Sequence, residues 1–490
     1  MRFLFRAGSL LAACCLTAGA DQFNHKIVLV GDKGAALGGA FAGLADDATA
    51  TYYNPAGLTQ IKNVKLNVSA QVVQYQKQKI GIAQGTDIPY NSFNFSPTIT
   101  AFSQRMGNWA YGFSVVTPLN DLFTGEQKIE GSYRNPYDSL SSCYAEGDAD
   151  PCYSKLNLSY YDVSKSTMIG PSLAFKYSDR ISLGFTVYAM YNTQLEKTAF
   201  GGWDGLYVDG EADDLSRFQE NNVTRSVTQT GLGATGMFGA LVQLSQGLSF
   251  GINVSPGGMV WVKRVEEQRV EVLANASVLG GGSGAVETVA PVIYNLTGTE
   301  RHTELTAPSL SIAASWRPID RLLLTLQTDY YLGSQYTYTG FTPDTSLAKG
   351  RSGFEFYAPL ERTYTVKKNA VADFSGGFEI QVFKGYSLAC GGFTDFSQGP
   401  DDDRPASWDR NIDYFGFTVS LGMDKDLTQS RFGFSMAYGD ASITHFQWTR
   451  IAGGRYTLEP DPDNPGQIYR PRQAFNAYNL GIFLSSTLKI

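Results

Sequence analysis

The sequence has few charged residues and no long apolar run, and each shortage excludes a class of protein. Charged residues make up 17% of the 490-residue chain, against about 25% in typical soluble domains. Beyond the first twenty residues, no stretch approaches the roughly 18 consecutive apolar residues that a membrane-spanning helix needs. The formal net charge is −7 and no basic cluster is present, which argues against nucleic acid as a partner.

Residue types that carry catalysis or bind metals are also scarce. The three histidines, His25, His302 and His445, are far apart, and none lies near a GxSxG nucleophile motif. The glycines between residues 31 and 43 do not form GxGxxG, and no GK[ST] follows them, which argues against a phosphate-binding loop there. We therefore predict no enzyme, no metal site and no cofactor.

Cysteine is rare as well, with five in the chain. Cys390 stands alone in a predicted strand. Cys143 and Cys152 bracket a polar loop and can form a disulfide in an oxidising compartment, and two unpaired thiols are the alternative.

The first twenty residues have the pattern of an export signal. Arg2 and Arg6 give a basic start, an apolar run covers residues 7–17, and residues 18–20 form a small-residue cleavage site. We predict a signal peptide over residues 1–20, and lipoprotein processing at Cys14 is the alternative. An exported chain without a helical anchor is periplasmic, secreted or an outer-membrane barrel, and the low charge favours the barrel.

From about residue 64 onward, apolar residues alternate with polar or small ones. Leu322, Leu324 and Leu326 share one predicted strand face, whereas Thr325 and Gln327 share the other. This period of two is typical of β-strands with different surroundings on their two faces. In a membrane barrel the apolar face meets lipid, and in a soluble sandwich it forms the core.

The lengths of the connections favour the barrel over the sandwich. Tight turns, for example at Gly107-Asn108 and Lys384-Gly385, alternate with long connections at 122–161, 198–225, 265–301, 338–365, 398–410 and 448–471. This asymmetry is typical of outer-membrane barrels. We predict about fourteen strands, with twelve or sixteen as alternatives, at 64–80, 95–106, 109–121, 162–178, 180–197, 226–245, 247–264, 302–317, 320–337, 366–383, 385–397, 411–425, 429–447 and 472–490.

The segment ahead of the first strand carries the most specific pattern. It is rich in small residues around Gly38 and Gly39, turns acidic at Asp46 and Asp47, and ends in Asn54-Pro55-Ala56. This arrangement resembles the N-terminal hatch of the FadL-type outer-membrane transporters of long-chain fatty acids and other hydrophobic compounds. The resemblance implies a helical plug, or hatch, over residues 21–62, inside a transmembrane antiparallel β-barrel formed by residues 63–490.

The same resemblance implies a route for the ligand. Phe23 matches an early phenylalanine that lines the family's ligand pocket. Pro118 lies in the third predicted strand, where the family has a lateral opening, and proline cannot donate to the strand ladder. A proline at an ordinary strand end is the alternative. The hatch residues Gly38, Gly39, Asn54, Pro55 and Ala56 are the expected gate.

One long connection, 265–301, is unusually apolar for an exposed loop. Exposed apolar surface tends to mark an interaction site, so we predict a capture loop there, with 198–225 opposite it. A loop folded back on its neighbours is the alternative. The predicted ligand-binding side chains are Val270, Val272, Leu273, Val278, Leu279, Val292 and Ile293.

These features predict a monomeric protein of the bacterial outer membrane, in contact with its lipids. It would take up fatty acids or other hydrophobic small molecules passively, with gating by the hatch and lateral release through the wall. Two other classes stay open: a partner of surface proteins or secretion factor built on the same fold, and a general porin. The Gly-rich hatch argues against the porin, because a plugged lumen is a poor path for water-soluble solutes.

Overall fold

A computed structural model describes residues 23–26, 28–62, 64–83, 86–134, 152–208, 211–274, 292–343, 359–399, 412–444, 448–450, 456–458 and 472–490. Almost all of these residues are in β-strands. The strands are β1 Lys65–Ala83, β2 Thr86–Met106, β3 Trp109–Arg134, β4 Cys152–Lys176, β5 Ile181–Val208, β6 Glu211–Gln243, β7 Leu248–Ser255, β8 Gly258–Ala274, β9 Val292–Leu305, β10 Ser309–Ile319, β11 Leu322–Tyr331, β12 Ser334–Pro343, β13 Pro359–Lys368, β14 Val371–Phe383, β15 Tyr386–Asp395, β16 Ile412–Asp424, β17 Thr428–Thr444, β18 Trp448–Arg450, β19 Tyr456–Leu458 and β20 Arg472–Lys489.

Fourteen of these strands close into an antiparallel β-barrel, which confirms the predicted fold class and strand number. The order around the barrel is β1 to β7, then β10, β11, β14 to β17 and β20. The ring is closed by pairing of the last strand with the first, from Lys65 opposite Lys489 to Lys77 opposite Tyr478. Because every strand has two neighbours, the sheet has no open edge along this ring.

The two faces of the wall have the inverse polarity of a soluble protein. On β5, Leu183 and Phe185 point outward and are 48% and 42% exposed, whereas the inward-facing Thr186 is 1% exposed. On β11, Leu326 is exposed on the outside, and Gln327 is buried on the inside. The predicted alternation therefore places apolar residues on the outer surface and polar residues in the lumen.

Several strands run further than predicted. β3 continues to Arg134, β5 continues to Val208, and β6 already begins at Glu211. The predicted loop 198–225 is therefore mostly strand, and the predicted loop 265–301 is strand up to Ala274 and again from Val292. The sequence prediction ended these strands too early because the strict alternation of apolar and polar residues stops in these parts.

Four strands are interrupted at one level of the wall, where the sequence predicted continuous strands. The breaks lie at 256–257, 306–308, 332–333 and 369–370, between β7 and β8, β9 and β10, β11 and β12, and β13 and β14. Gly257 has φ +85°, a conformation that favours glycine. Beyond this level, β8 and β9 extend the main sheet, whereas β12 and β13 form a separate two-stranded sheet.

The N-terminal segment, residues 23–62, has short helices: α1 Lys33–Ala36, α2 Ala50–Tyr53 and a 3₁₀ helix Pro55–Gln60. Among the described residues, no helix has the length and apolarity of a membrane span. The segment is almost fully buried, and Phe41 and Leu58 are 0% exposed. Its burial comes from contacts with inward-facing residues of the barrel, which are the basis of the candidate site.

Candidate functional site

Inward-facing glycines of the wall accommodate the backbone of the N-terminal segment. A β-carbon on Gly251 would lie 2.1 Å from the carbonyl oxygen of Ala42, and one on Gly391 would lie 2.3 Å from the amide nitrogen of Gly38. Any larger residue would push the segment away at these two places. Gly38 and Gly39 themselves have φ values of +66° and +91°, which explains glycine at both positions.

The Asn54-Pro55-Ala56 motif fixes the segment both to itself and to the wall. Asn54 Nδ2 donates to the carbonyl oxygens of Ala42 (2.9 Å) and of Ala240 on β6 (3.0 Å). Its Oδ1 accepts from the amide of Ala56 (3.1 Å) at the start of the 3₁₀ helix, and Pro55 takes the first helical position, where no donor is needed. Asn54 is 0% exposed, so the motif is a buried junction.

A buried ion network joins the segment to the other side of the barrel. Arg431 on β17 donates through Nε to Asp32 Oδ1 (2.7 Å) and through Nη2 to Glu379 Oε1 on β14 (2.6 Å). Arg431 and Asp32 are 3% and 1% exposed. One guanidinium thus compensates two carboxylates that would be costly to bury unpaired.

Residues 24–26 form a latch at the end of β15. The amides of His25 and Lys26 donate to the two carboxylate oxygens of Asp395, at 2.7 and 2.9 Å. Asn24 Nδ2 donates to the carbonyl oxygens of Asp395 (2.7 Å) and Ile412 (3.0 Å). The latch also reaches β11, where the Lys26 ammonium lies 2.7 Å from Asp329 Oδ2.

His25 is held in its uncharged form by its surroundings. Its ring stacks on Tyr331 with centroids 3.8 Å apart, and Nε2 lies 3.0 Å from Gln398 Oε1. Burial, and then the charge of Lys368, lower the pKa of His25 from 6.5 to about 4. At neutral pH the imidazole therefore adds no positive charge beside Lys26.

A cavity of about 460 Å³ lies between the segment and the wall. This volume is in the usual range of small-molecule sites. The segment contributes Phe23, Tyr52 and Tyr53 to its lining, and β3 contributes Pro118 and Leu119. A single cavity therefore contacts both the N-terminal segment and the strand predicted to contain a lateral opening.

Aromatic residues of the separate β12–β13 sheet form another part of the lining. Tyr336 and Tyr338 on β12 are each 9% exposed. Their rings lie 6.1 and 5.7 Å from the ring of His302 on β9, and the guanidinium of Arg264 on β8 lies 5.0 Å from the centre of the Tyr338 ring. Ring stacking and side-chain contacts thus hold this hairpin to β8 and β9.

The wall has a seam between β2 and β3. The β2–β3 ladder runs from Met106 opposite Trp109 to Ile99 opposite Val116. Beyond Val116, β2 continues to pair with β1, and β3 continues to pair with β4 after a register shift at residues 117–118. Across the seam, Asn94 Nδ2 donates to the carbonyl oxygen of Asn120 (3.2 Å).

Sequence reasoning located some of these residues and missed others. Phe23 and Pro118 line the same cavity. Val270, Val272 and Leu273 lie in β8, and Val292 and Ile293 in β9, so they belong to strands and not to a loop. Val278, Leu279 and Cys143 lie outside the described residues, and Cys152 begins β4. The missed contributors are the tyrosines of β12–β13, whose ring contacts with His302 of β9 no local pattern indicates.

Solved structures share this architecture. A FadL homologue from Pseudomonas aeruginosa aligns over 95% of this chain and 99% of its own, with 11% identity and a TM-score of 0.56. The Pseudomonas putida toluene transporter TodX aligns over 93% and 97%, with 12% identity and a TM-score of 0.53. The CymD monoaromatic hydrocarbon channel aligns over 95% and 98%, with 13% identity and a TM-score of 0.51. At these identities the likeness shows the fold.

The sequence itself matches a family model over about half its length. Among curated proteins, none matches the sequence. The model of the outer membrane protein transport protein family (OMPP1/FadL/TodX) matches residues 9–255, which include the N-terminal segment and β1 to β7. The members of this family are transport channels of the outer membrane and not enzymes. The chain therefore belongs to the OMPP1/FadL/TodX family, as the resemblance at residues 31–61 predicted, and is an outer-membrane transport protein for hydrophobic molecules.

Proposed function

We propose that this protein takes up fatty acids or aromatic hydrocarbons passively and releases them sideways into the outer membrane through the β2–β3 seam. The observation that carries this proposal is the cavity whose lining includes both Phe23 of the N-terminal segment and Pro118 beside the seam. The solved relatives named for toluene and for monoaromatic hydrocarbons add aromatic hydrocarbons to the candidates.

The N-terminal segment acts as the gate in this proposal. His25 of this segment lines the cavity, held there by the latch to Asp395 and by stacking on Tyr331. A ligand that displaces Phe23 or His25 would loosen contacts that continue, through Tyr52 and Tyr53, toward β3. The ligand then has a short apolar path along Leu119 to the membrane.

Reversible cross-linking of the seam tests lateral release. The variant Asn94→Cys/Asn120→Cys would join β2 and β3 where a side chain already bridges them. In liposomes, we expect its oxidised form to take up labelled toluene or oleate at least about tenfold more slowly than its reduced form, because the wall can no longer separate.

The matched control is Gln104→Cys/Tyr111→Cys, which joins the same two strands where their ladder is intact. Oxidation of this control should leave uptake unchanged. Equal uptake by the oxidised and reduced forms of the seam variant, with the disulfide confirmed by mass spectrometry, would exclude lateral release at this seam.

A further inference from the structure

One side of the cavity is polar, and another carries an apolar patch. On the polar side, Asn253 of β7 pairs with Ser311 of β10, which pairs in turn with Asp329 of β11. All three side chains face the lumen and line the cavity. On β3, β4 and β5 the lining contains an apolar patch, Pro118, Leu119, Met168 and Met190, among polar residues such as Ser166 and Gln194. A ligand that fills this cavity therefore meets two different surfaces.

Asn253 is an amide of the lining with an unpaired oxygen: it is 8% exposed, and its Oδ1 has no hydrogen-bond partner among the described residues. Asn24 Oδ1 is unpaired as well, but the Nδ2 of Asn24 is already committed to the latch. Gln229 Nε2 donates to Gln194 Oε1 (2.7 Å), and Gln327 Nε2 donates to Asp329 Oδ1 (2.7 Å). Buried polar groups are normally hydrogen-bonded, so an unpaired amide facing a cavity indicates a place for a ligand's polar group.

The charge around this amide decides which polar group fits. Asp329 is followed along the wall by Asp373, its partner in the β11–β14 ladder, and both are buried. Asp395 lies beside them and holds the latch through two backbone amides. Lys26 is already ion-paired with Asp329 at 2.7 Å. Of these three carboxylates Asp329 lines the cavity, so a carboxylate head at Asn253 would lie near the Asp329 carboxylate, whereas an uncharged hydroxyl would not be repelled.

A hydroxyl also suits both ends of an amide. It can donate to the amide oxygen or accept from the amide nitrogen, and it can do the same with the Ser311 hydroxyl. The cavity volume of about 460 Å³ accommodates a single-ring compound with room for this contact.

We propose that Asn253 and Ser311 form a head-group subsite for an uncharged hydroxylated hydrophobic compound, an alcohol or a phenol, whose apolar body lies against Met168 and Met190. The proposal rests on the proposed transport function and names the ligand class of the same cavity. It makes Asn253 a specificity-determining residue, because this amide separates hydroxylated ligands from plain hydrocarbons and from carboxylates.

The test is equilibrium dialysis of labelled toluene, benzyl alcohol and benzoate against the purified full-length protein in detergent, with empty micelles subtracted. These three probes share one ring and differ in the head. In Asn253→Leu, the affinity for benzyl alcohol relative to toluene should fall about three- to tenfold, the usual effect of losing one hydrogen bond. Toluene itself should bind as well as before or better.

Two further variants keep the test independent of misfolding. Ser311→Ala removes the hydroxyl without adding bulk and should lower the same affinity ratio about two- to threefold. The variant Asn67→Leu removes an amide that lies outside the cavity lining and already donates to Thr487 Oγ1, and it should leave the ratio unchanged. The heat-dependent gel mobility of each variant reports whether its barrel is folded.

Each contrary result has a separate meaning. An unchanged ratio in both Asn253→Leu and Ser311→Ala, with toluene still bound, overturns the subsite and leaves the transport function standing. Tighter binding of benzoate than of benzyl alcohol by the unaltered protein also overturns it, and would place the head group at the cavity lysines, such as Lys368. If none of the three probes binds, the subsite is wrong, and binding or lack of binding of labelled oleate decides whether the proposed transport function stands.

Discussion

The two sides of the barrel hold the N-terminal segment by different chemistry. On β14 to β17 the contacts are charged or charge-assisted: Arg431 binds Asp32, and Asp395 binds the backbone of the latch. On β5 to β7 they are neutral hydrogen bonds from Asn54, and close backbone approaches at glycines occur on both sides, at Gly251 and at Gly391. Among the described residues, the cavity lining comes from the N-terminal segment and from the wall between β3 and β13.

The strands β14 to β17 anchor the N-terminal segment, whereas other strands of the wall line the cavity. The β15–β16 and β16–β17 ladders are continuous in their described parts, and the β14–β15 ladder has one register shift, between Gln381 and Phe383. Regular ladders position charged partners accurately over long sequence separations. The strands around the cavity have a register shift at 117–118 and four breaks at one level. Such irregularities leave space and re-aim side chains, so the cavity lies where the wall is least regular.

Removing the whole segment should abolish both kinds of contact and give the largest effect. Deletion of residues 21–58 should convert the protein to an ungated, ion-conducting pore, because a 14-stranded barrel is too wide to be filled by its own side chains. Conductance in planar bilayers measures this directly. Conductance equal to that of the full-length protein would show that the segment does not close the lumen.

Removing the charged anchor alone should have the next largest effect. In Arg431→Leu, Asp32 and Glu379 stay buried without their cation, so docking of the segment should weaken by about 3–5 kcal/mol. Limited proteolysis of the N-terminal segment in the intact protein reports the undocked form, and cleavage should be strongly accelerated.

The matched control for this ion network is Arg317→Leu. Arg317 is half-exposed and lies 3.4 Å from Asp46, and exposed ion pairs contribute about 0–1 kcal/mol. Equal proteolysis rates in Arg317→Leu and Arg431→Leu would mean that burial does not decide the strength of these contacts.

Removing the neutral anchor should have a smaller effect. Asn54→Ala leaves two carbonyl oxygens and one amide without their partner, which should destabilise docking by about 1–3 kcal/mol. The same proteolysis assay should place this variant between Arg317→Leu and Arg431→Leu. A cleavage rate above that of Arg431→Leu would mean that the neutral contacts of Asn54 hold the segment more strongly than the ion network does.

Acid should also weaken docking, acting through the latch and increasing gradually as the pH falls. The docked His25 has a pKa of about 4, against 6.5 when free, so the undocked segment binds a proton more readily. Docking is therefore strongest above pH 6.5 and weakens as pH falls toward 4. Lys26, Lys368 and Asp329 also act on this ring, and the two lysines add to the cost of protonation.

Proteolysis between pH 7 and pH 4 measures this dependence. His25→Phe keeps a ring to stack on Tyr331 and removes the titrating group, so its rate should vary less with pH over this interval. An identical pH profile in the variant would assign the dependence to the neighbouring carboxylates.

The strand count and the polarity of the wall could be read from the sequence, because each depends on local alternation. Leu322, Leu324 and Leu326 already specify an outer face, and Gly107-Asn108 already specifies a turn. The strand extensions up to Val208 on β5 and from Val292 on β9 were missed because the regular alternation of apolar and polar residues stops there. Pro and Gly residues at the breaks, such as Pro256 and Gly257, indicate an interrupted strand. The apolar alternation on either side of them favoured a continuous strand, and the prediction followed the alternation.

By itself, the sequence determined the family and the barrel, since hydrophobic period, turn residues and one motif act over short distances. The tertiary structure alone decided that Asp32 meets Arg431, 399 residues away, and that the side-chain oxygen of Asn253 has no hydrogen-bond partner among the described residues. These contacts depend on ring closure and on strand register around the whole barrel. A local pattern carries no information on which strands become opposite walls of one cavity.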